Sequence, residues 1–210
     1  MIYSEYLLLC IGVPVLLSSF FVRREARRYS VLFLIGMVTC LISGYISGYL
    51  HLVTGGTPEE TAVYIAPMVE EILKLLPLLF LLSVLRVPPL SLMQCAAALG
   101  TGFATFENCC FLLQNGTQSL TYTLIRGRAV GVMHIVSLLL LTMGLSTARR
   151  YNALSTSSVI GALSLSVTFH ALYNLLVSAP GAPSIIAYTL PLLTALLLYI
   201  PFRGMTSGDT

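Results

Sequence analysis

The sequence contains no tryptophan, and only 9% of its 210 residues carry charge. A water-soluble domain of this length needs a charged surface. Charge this sparse, with 57% hydrophobic residues and a mean hydropathy of +0.91, excludes that class and leaves a polytopic membrane protein. Cysteine is scarce and odd in number. Cys10, Cys40, Cys95, Cys109 and Cys110 all fall in apolar stretches, which excludes a disulfide framework. The net charge of +3 provides no basic face, so no nucleic-acid partner is expected. HExxH is absent and no internal repeat is visible. The opening stretch, MIYSEYLLLCIGVPVLL, has neither a basic leader nor a small-residue cleavage site, and is expected to be retained as a span.

What is present is a succession of apolar segments of about 20 residues, the length that crosses a bilayer. Seven are expected, near residues 3–22, 30–53, 61–84, 90–114, 121–145, 156–178 and 184–201. They make an all-α transmembrane bundle, a single integral membrane domain over 1–210. Arg23, Arg24, Arg27, Arg28, Arg86, Arg149, Arg150 and Arg203 follow alternate segments, whereas the connections 54–60, 115–120 and 179–183 hold no Lys or Arg. The bias of basic residues toward the cytoplasm then predicts an external N-terminus and a cytoplasmic C-terminus. In the second segment GYISG, Gly44 to Gly48, has the small-residue spacing that predicts close helix packing.

A short set of polar residues remains inside the apolar segments. Glu70, Glu71 and Lys74 lie in the third, Glu107 and Asn108 in the fourth, Arg126, Arg128 and His134 in the fifth, and His170 and Asn174 in the sixth. A charge at the bilayer centre costs about 2.5–3.5 kcal/mol on insertion scales, so these groups should face a bundle interior or a water-filled cavity. At ~1.5 Å rise per residue, the two glutamates lie about 15 Å below the outer face, Glu107 about 10 Å, His134 about 20 Å and His170 about 12 Å. Four helices thus bring ionisable groups to similar levels, which predicts one site. Within helices, Glu70 and Lys74, and His170 and Asn174, are four apart and can share a face. Arg126 lies ~80° around the helix from His134, whereas Arg128 falls on another side, which makes Arg126 the site candidate.

Simpler readings stand beside these. Lys74 can neutralise one glutamate, but a second carboxylate remains as a candidate general base. Arg128 can snorkel to the outer interface. His51 reads as interfacial, Glu59 and Glu60 as solvated, and Asn108 and Asn174 can serve as interhelical hydrogen-bonding groups.

EEILK (Glu70 to Lys74), GFATFEN (Gly102 to Asn108), RGRAVGVMH (Arg126 to His134) and HALYN (His170 to Asn174), in this order on successive segments, resemble the PrsW family of intramembrane proteases. That family belongs with CAAX-protease and bacteriocin-processing relatives. A prenyl-protein protease of the clan would carry a histidine motif in the fourth segment, where this chain has FENCC, so PrsW is favoured. The resemblance covers about 61–178, which marks the expected catalytic core. It implies a peptidase acting on a membrane-anchored, single-span protein, the founding type cleaving an anti-sigma factor. With the short connections it also implies a bacterial or archaeal plasma membrane.

For that activity Glu70 or Glu71, ~100° apart on one helix, is expected to activate water, with His170 positioning it. His134 and Asn174 would stabilise the tetrahedral intermediate, while Glu107 and Arg126 orient the histidines, and Lys74 and Asn108 support them. A metal-free, glutamic-type site with no cofactor is favoured. The competing arrangement is a zinc held by His134, His170 and Glu70 or Glu71. Outside the peptidase class, buried Glu, His, Lys and Arg also suit a proton- or ion-coupled transporter, although paired repeats and broken helices are missing. A non-catalytic scaffold is disfavoured by the cost of burying so many charges.

Overall fold

A computed structural model describes residues 4–116, 119–151 and 153–207, with side chains described as far as residue 200. The side chain of Arg203 lies outside the described residues. Regular structure among those residues is helical, with no strand. The elements are α1 (Ser4–Ser19), α2 (Arg24–Thr54), α3 (Pro58–Glu60), a π-helical turn (Thr61–Ile65), α4 (Ala66–Ser83), α5 (Pro89–Asn115), α6 (Leu120–Arg150), α7 (Thr156–Ser178) and α8 (Ala182–Ser207).

The sequence punctuates these helices by recognisable chemistry. α2 ends where Gly55 adopts the left-handed conformation (φ 65°) and its N–H reaches the His51 carbonyl. Thr57 then caps the next helix in a reciprocal box with Glu60, and Pro58 fills the first helical position, which needs no N–H. Ser119 caps α6, and Ser155 with Ser158 forms a capping box for α7. Arg149 near the end of α6 donates to the carbonyls of Leu82 and Val87, so the C-terminal ends of α4 and α6 lie together.

Among the described residues five helices are long and apolar enough to cross a membrane: Arg24–Thr54, Pro89–Asn115, Leu120–Arg150, Thr156–Ser178 and Ala182–Ile200. They correspond to five of the seven expected segments. The other two differ for separate reasons. The described part of α1 has 16 residues, about 24 Å at the usual rise, against a hydrocarbon core of about 30 Å. α4 has 18 residues and carries Glu70, Glu71 and Lys74, too many charges for a segment read by hydropathy alone.

α5 packs between α2 and α6, α7 and α8 cover another side of α6, and α4 fits against α2, α6 and α7. Close approach of α2 and α5 depends on two glycines. A Cβ on Gly36 would lie 2.8 Å from the backbone nitrogen of Phe103, and one on Gly102 would lie 2.6 Å from the carbonyl carbon of Phe33. The glycines that pack α2 against α5 are these two. Gly44 and Gly48, whose spacing predicted such a contact, face open space with nothing within 4 Å of a Cβ. Gly102→Ala is expected to destabilise the protein by about 1–3 kcal/mol, because backbone rather than a mobile side chain must give way. Gly48→Ala should be neutral, and thermal melting in detergent compares the two.

The buried apolar residues form two groups. One includes Leu75, Leu78, Leu82, Leu92, Leu99, Leu138, Leu141 and Leu145. A smaller one comprises Ala129, Val130, Met133, Tyr173 and Ala187. Along α6 the first group begins at Leu138 and the second ends at Met133. Between them sit His134 and Ser137, so the polar residues occupy a layer with apolar packing on both sides.

Candidate active site

That layer draws on four helices. Glu70, Glu71 and Lys74 come from α4, Glu107 and Asn108 from α5, Arg126, His134 and Ser137 from α6, and Ser166 and His170 from α7. Their positions follow from helical spacing. Glu71 and Lys74 are one turn apart, as are His134 and Ser137, and Ser166 and His170, so each pair shares a face. A π-helical turn one turn before Glu70 offsets α4 from α3, a feature that recurs near functional sites.

The two adjacent glutamates have opposite environments. Glu71 is fully buried and saturated with donors. Its Oε1 accepts from Lys74 Nζ at 2.8 Å, His170 Nδ1 at 2.9 Å and Ser137 Oγ at 3.2 Å, and its Oε2 accepts from Ser166 Oγ at 2.6 Å. Glu70 retains 16% side-chain exposure, and its Oε2 has no hydrogen-bond partner. Lys74 Nζ at 3.7 Å and His170 Nε2 at 3.8 Å are its nearest nitrogen neighbours. A buried carboxylate oxygen without a donor is costly, so such an atom marks a place where water, an ion or substrate belongs.

The network assigns the imidazole tautomers. Lys74 Nζ has donors only, so His134 Nδ1, 2.9 Å away, accepts, and His134 Nε2 carries the proton it donates to Glu107 Oε2. His170 Nδ1 donates to Glu71, which leaves the Nε2 lone pair on the side of Glu70. The two rings meet edge to face with centroids 5.0 Å apart. Lys74 also lies 3.9 Å above the Phe103 ring.

Glu107 is the most accessible carboxylate of the group, at 31% side-chain exposure. Arg126 lies 3.7 Å from its Oε1, donates to Asn108 Oδ1 at 2.7 Å and stacks 3.4 Å over Phe111. Asn108 in turn donates to the Gly127 carbonyl, which ties α5 to α6 at this level. Arg128 is exposed and lies outside the cluster.

Asn174 is placed differently. Its amide donates to the Ala62 carbonyl in the π-helical turn at 2.8 Å, so it braces the approach to α4. His51 does similar work from α2, with Nδ1 2.7 Å from Thr61 Oγ1. Ser137, Ser166 and Phe103 escape a search for ionisable residues. Their signal was spacing, three residues after His134, four before His170 and four before Glu107.

Glu70, His134 and His170 each offer a ligand atom within 4.8 Å of one another, a group that could hold a metal ion. Two imidazoles and one carboxylate, with a fourth position free for water, are a donor set of catalytic zinc. The unpartnered Glu70 Oε2 and the free lone pair of His170 Nε2 fit such an ion. The Glu71 carboxylate behind His170 supplies the support that ligating histidines usually have.

The cavities differ in their relation to the site. One of about 560 Å3 between α1, α2, α4 and α5 is lined by both Glu70 and Glu107. Another of about 620 Å3, near Arg28, Tyr29, Leu139 and Tyr199, contains none of the candidate residues.

No curated protein and no solved structure matches the chain. A family model described as PrsW family intramembrane metalloprotease matches residues 25–202, a range that includes every residue of the cluster. With multiple membrane-compatible helices and this buried Glu/His layer, the chain belongs to the PrsW family of intramembrane metalloproteases.

Proposed function

We propose that the protein hydrolyses a peptide bond of a single-span membrane protein, with Glu70, His134 and His170 holding a zinc ion. The observation that carries this is the buried Glu70 Oε2, left without a donor beside the free lone pair of His170. A zinc ion there would supply Lewis acidity toward water and toward the scissile carbonyl. Glu71 fixes His170 in the tautomer whose Nε2 can ligate, and Ser137 and Ser166 hold Glu71 in place. Glu107 lines the cavity and is positioned to take a proton from water and return it to the leaving amine nitrogen. Arg126 uses one N–H on Asn108, and its other donors can face the developing oxyanion.

A second, metal-free reading has its own support. Both nitrogens of His134 are engaged, by Lys74 and Glu107, so the ring must give up its Lys74 contact at Nδ1, or move its proton and give up Glu107 at Nε2, to bind an ion. In that reading Glu70 takes the proton from water directly.

All seven apolar segments are proposed to cross the membrane, α1 and α4 included, as one integral domain with its catalytic core at about 61–178. The end of the bundle holding Arg24, Arg27, Arg28, Arg86, Arg149 and Arg150 faces the cytoplasm of a plasma membrane. Glu70 lies in the second turn of α4, near the opposite end, so the cut falls toward the outer side of the substrate's membrane segment.

Purified protein incubated with a panel of single-span substrates is expected to cleave at least one. Chelation should suppress the rate more than 10-fold, and added zinc should restore it. Cleavage insensitive to chelation from protein without bound zinc selects the metal-free reading. Absence of cleavage by wild type, together with proton flux in vesicles, selects a transporter.

A further inference from the structure

We propose that the 560 Å3 cavity between α1, α2, α4 and α5 is the substrate groove, and that it receives one unwound turn of the substrate's membrane segment. This rests on the peptidase reading. The inner wall of the cavity carries Glu70 and Glu107, so whatever fills it lies against the groups assigned to the chemistry.

The lining argues for a peptide backbone over a lipid tail. Glu5 from α1, Ser43 from α2 and Gln114 from α5 join the two carboxylates around the space. An acyl chain would suit Leu41, Tyr45 and Phe106 of the same lining but would leave Glu5, Gln114 and Glu70 Oε2 without partners. A helix opened for cleavage exposes N–H and C=O groups that have no water to turn to inside a bilayer, and such a lining meets them. The volume is of the scale of one turn. One turn of a helix about 10–12 Å across and 5.4 Å in pitch occupies about 420–610 Å3, so the cavity matches a single turn and is far too small for a span of about 20 residues.

Gly44 keeps the groove open. It lines the cavity, and a Cβ built on it meets nothing within 4 Å, so a larger side chain enters the space without disturbing the packing of α2. Gly48, one turn along, is equally unobstructed and does not line the cavity, which makes it a matched control. Gly44→Ala, Gly44→Val and Gly44→Leu should reduce cleavage of the single-span panel in order of side-chain volume. The leucine variant should lose at least 10-fold, while Gly48→Leu stays within 2-fold of wild type and all four elute and melt like wild type. The graded series keeps the test valid if leucine alone prevents folding. Wild-type activity in all Gly44 variants would overturn the groove and leave the peptidase reading standing. Failure of wild type itself to cleave would remove both.

Discussion

Glu70→Gln is expected to reduce cleavage by at least about 100-fold while the protein melts like wild type. The expected loss has the same origin in either mechanism. Removing the charge takes away one of three donors from an ion, or removes the base, whose contribution is typically 10²–10⁴-fold. The folded state loses little, because Glu70 Oε2 accepts no hydrogen bond and its nearest cation, Lys74, is 3.7 Å away. Zinc content separates the two mechanisms. Protein that carries zinc in the wild type and loses it in Glu70→Gln identifies a ligand, whereas equal content in both identifies a base. Retention of activity by Glu70→Gln would displace this residue from the centre of the site.

The contrast between neighbouring glutamates shows what the sequence could and could not disclose. That ionisable residues on the third to sixth apolar segments belong together was legible, because each would be too costly in lipid and depth follows from counting residues. Arg126 beside Glu107, with Arg128 exposed, also follows from helical angle. Which glutamate is saturated was not legible. It depends on Ser137 and Ser166, uncharged residues in apolar helices whose hydroxyls matter only once α6 and α7 are brought within 3.2 Å of Glu71. Asn174 shows the same limit. Its spacing from His170 suggested a shared face, yet its amide donates to the Ala62 carbonyl of the π-helical turn. The GYISG spacing likewise could not distinguish a packing face from a cavity wall, since glycine suits both.

Glu71→Gln is expected to destabilise the fold itself. Four donors converge on this carboxylate, and it is one of two fully buried ions in direct contact, Lys74 being the other. Glutamine offers one acceptor oxygen and turns an NH2 toward groups that are themselves donors. Lys74 is then left charged and fully buried beside the Phe103 ring. Breaking a buried pair in this way costs about 3–5 kcal/mol, which for a chain of this size lowers the melting temperature by at least about 6 °C. Lys74→Met alone should cost less, because His170, Ser137 and Ser166 still satisfy Glu71. Joining the two changes should recover part of the loss of Glu71→Gln, the non-additivity expected of contacting residues. Thermal melting of the two single variants and the double variant in one detergent measures this coupling. A Glu71→Gln protein that melts like wild type but cleaves nothing would move this carboxylate from the scaffold into the chemistry. The division of labour between the two glutamates would then be reversed, with Glu70 left to line the groove.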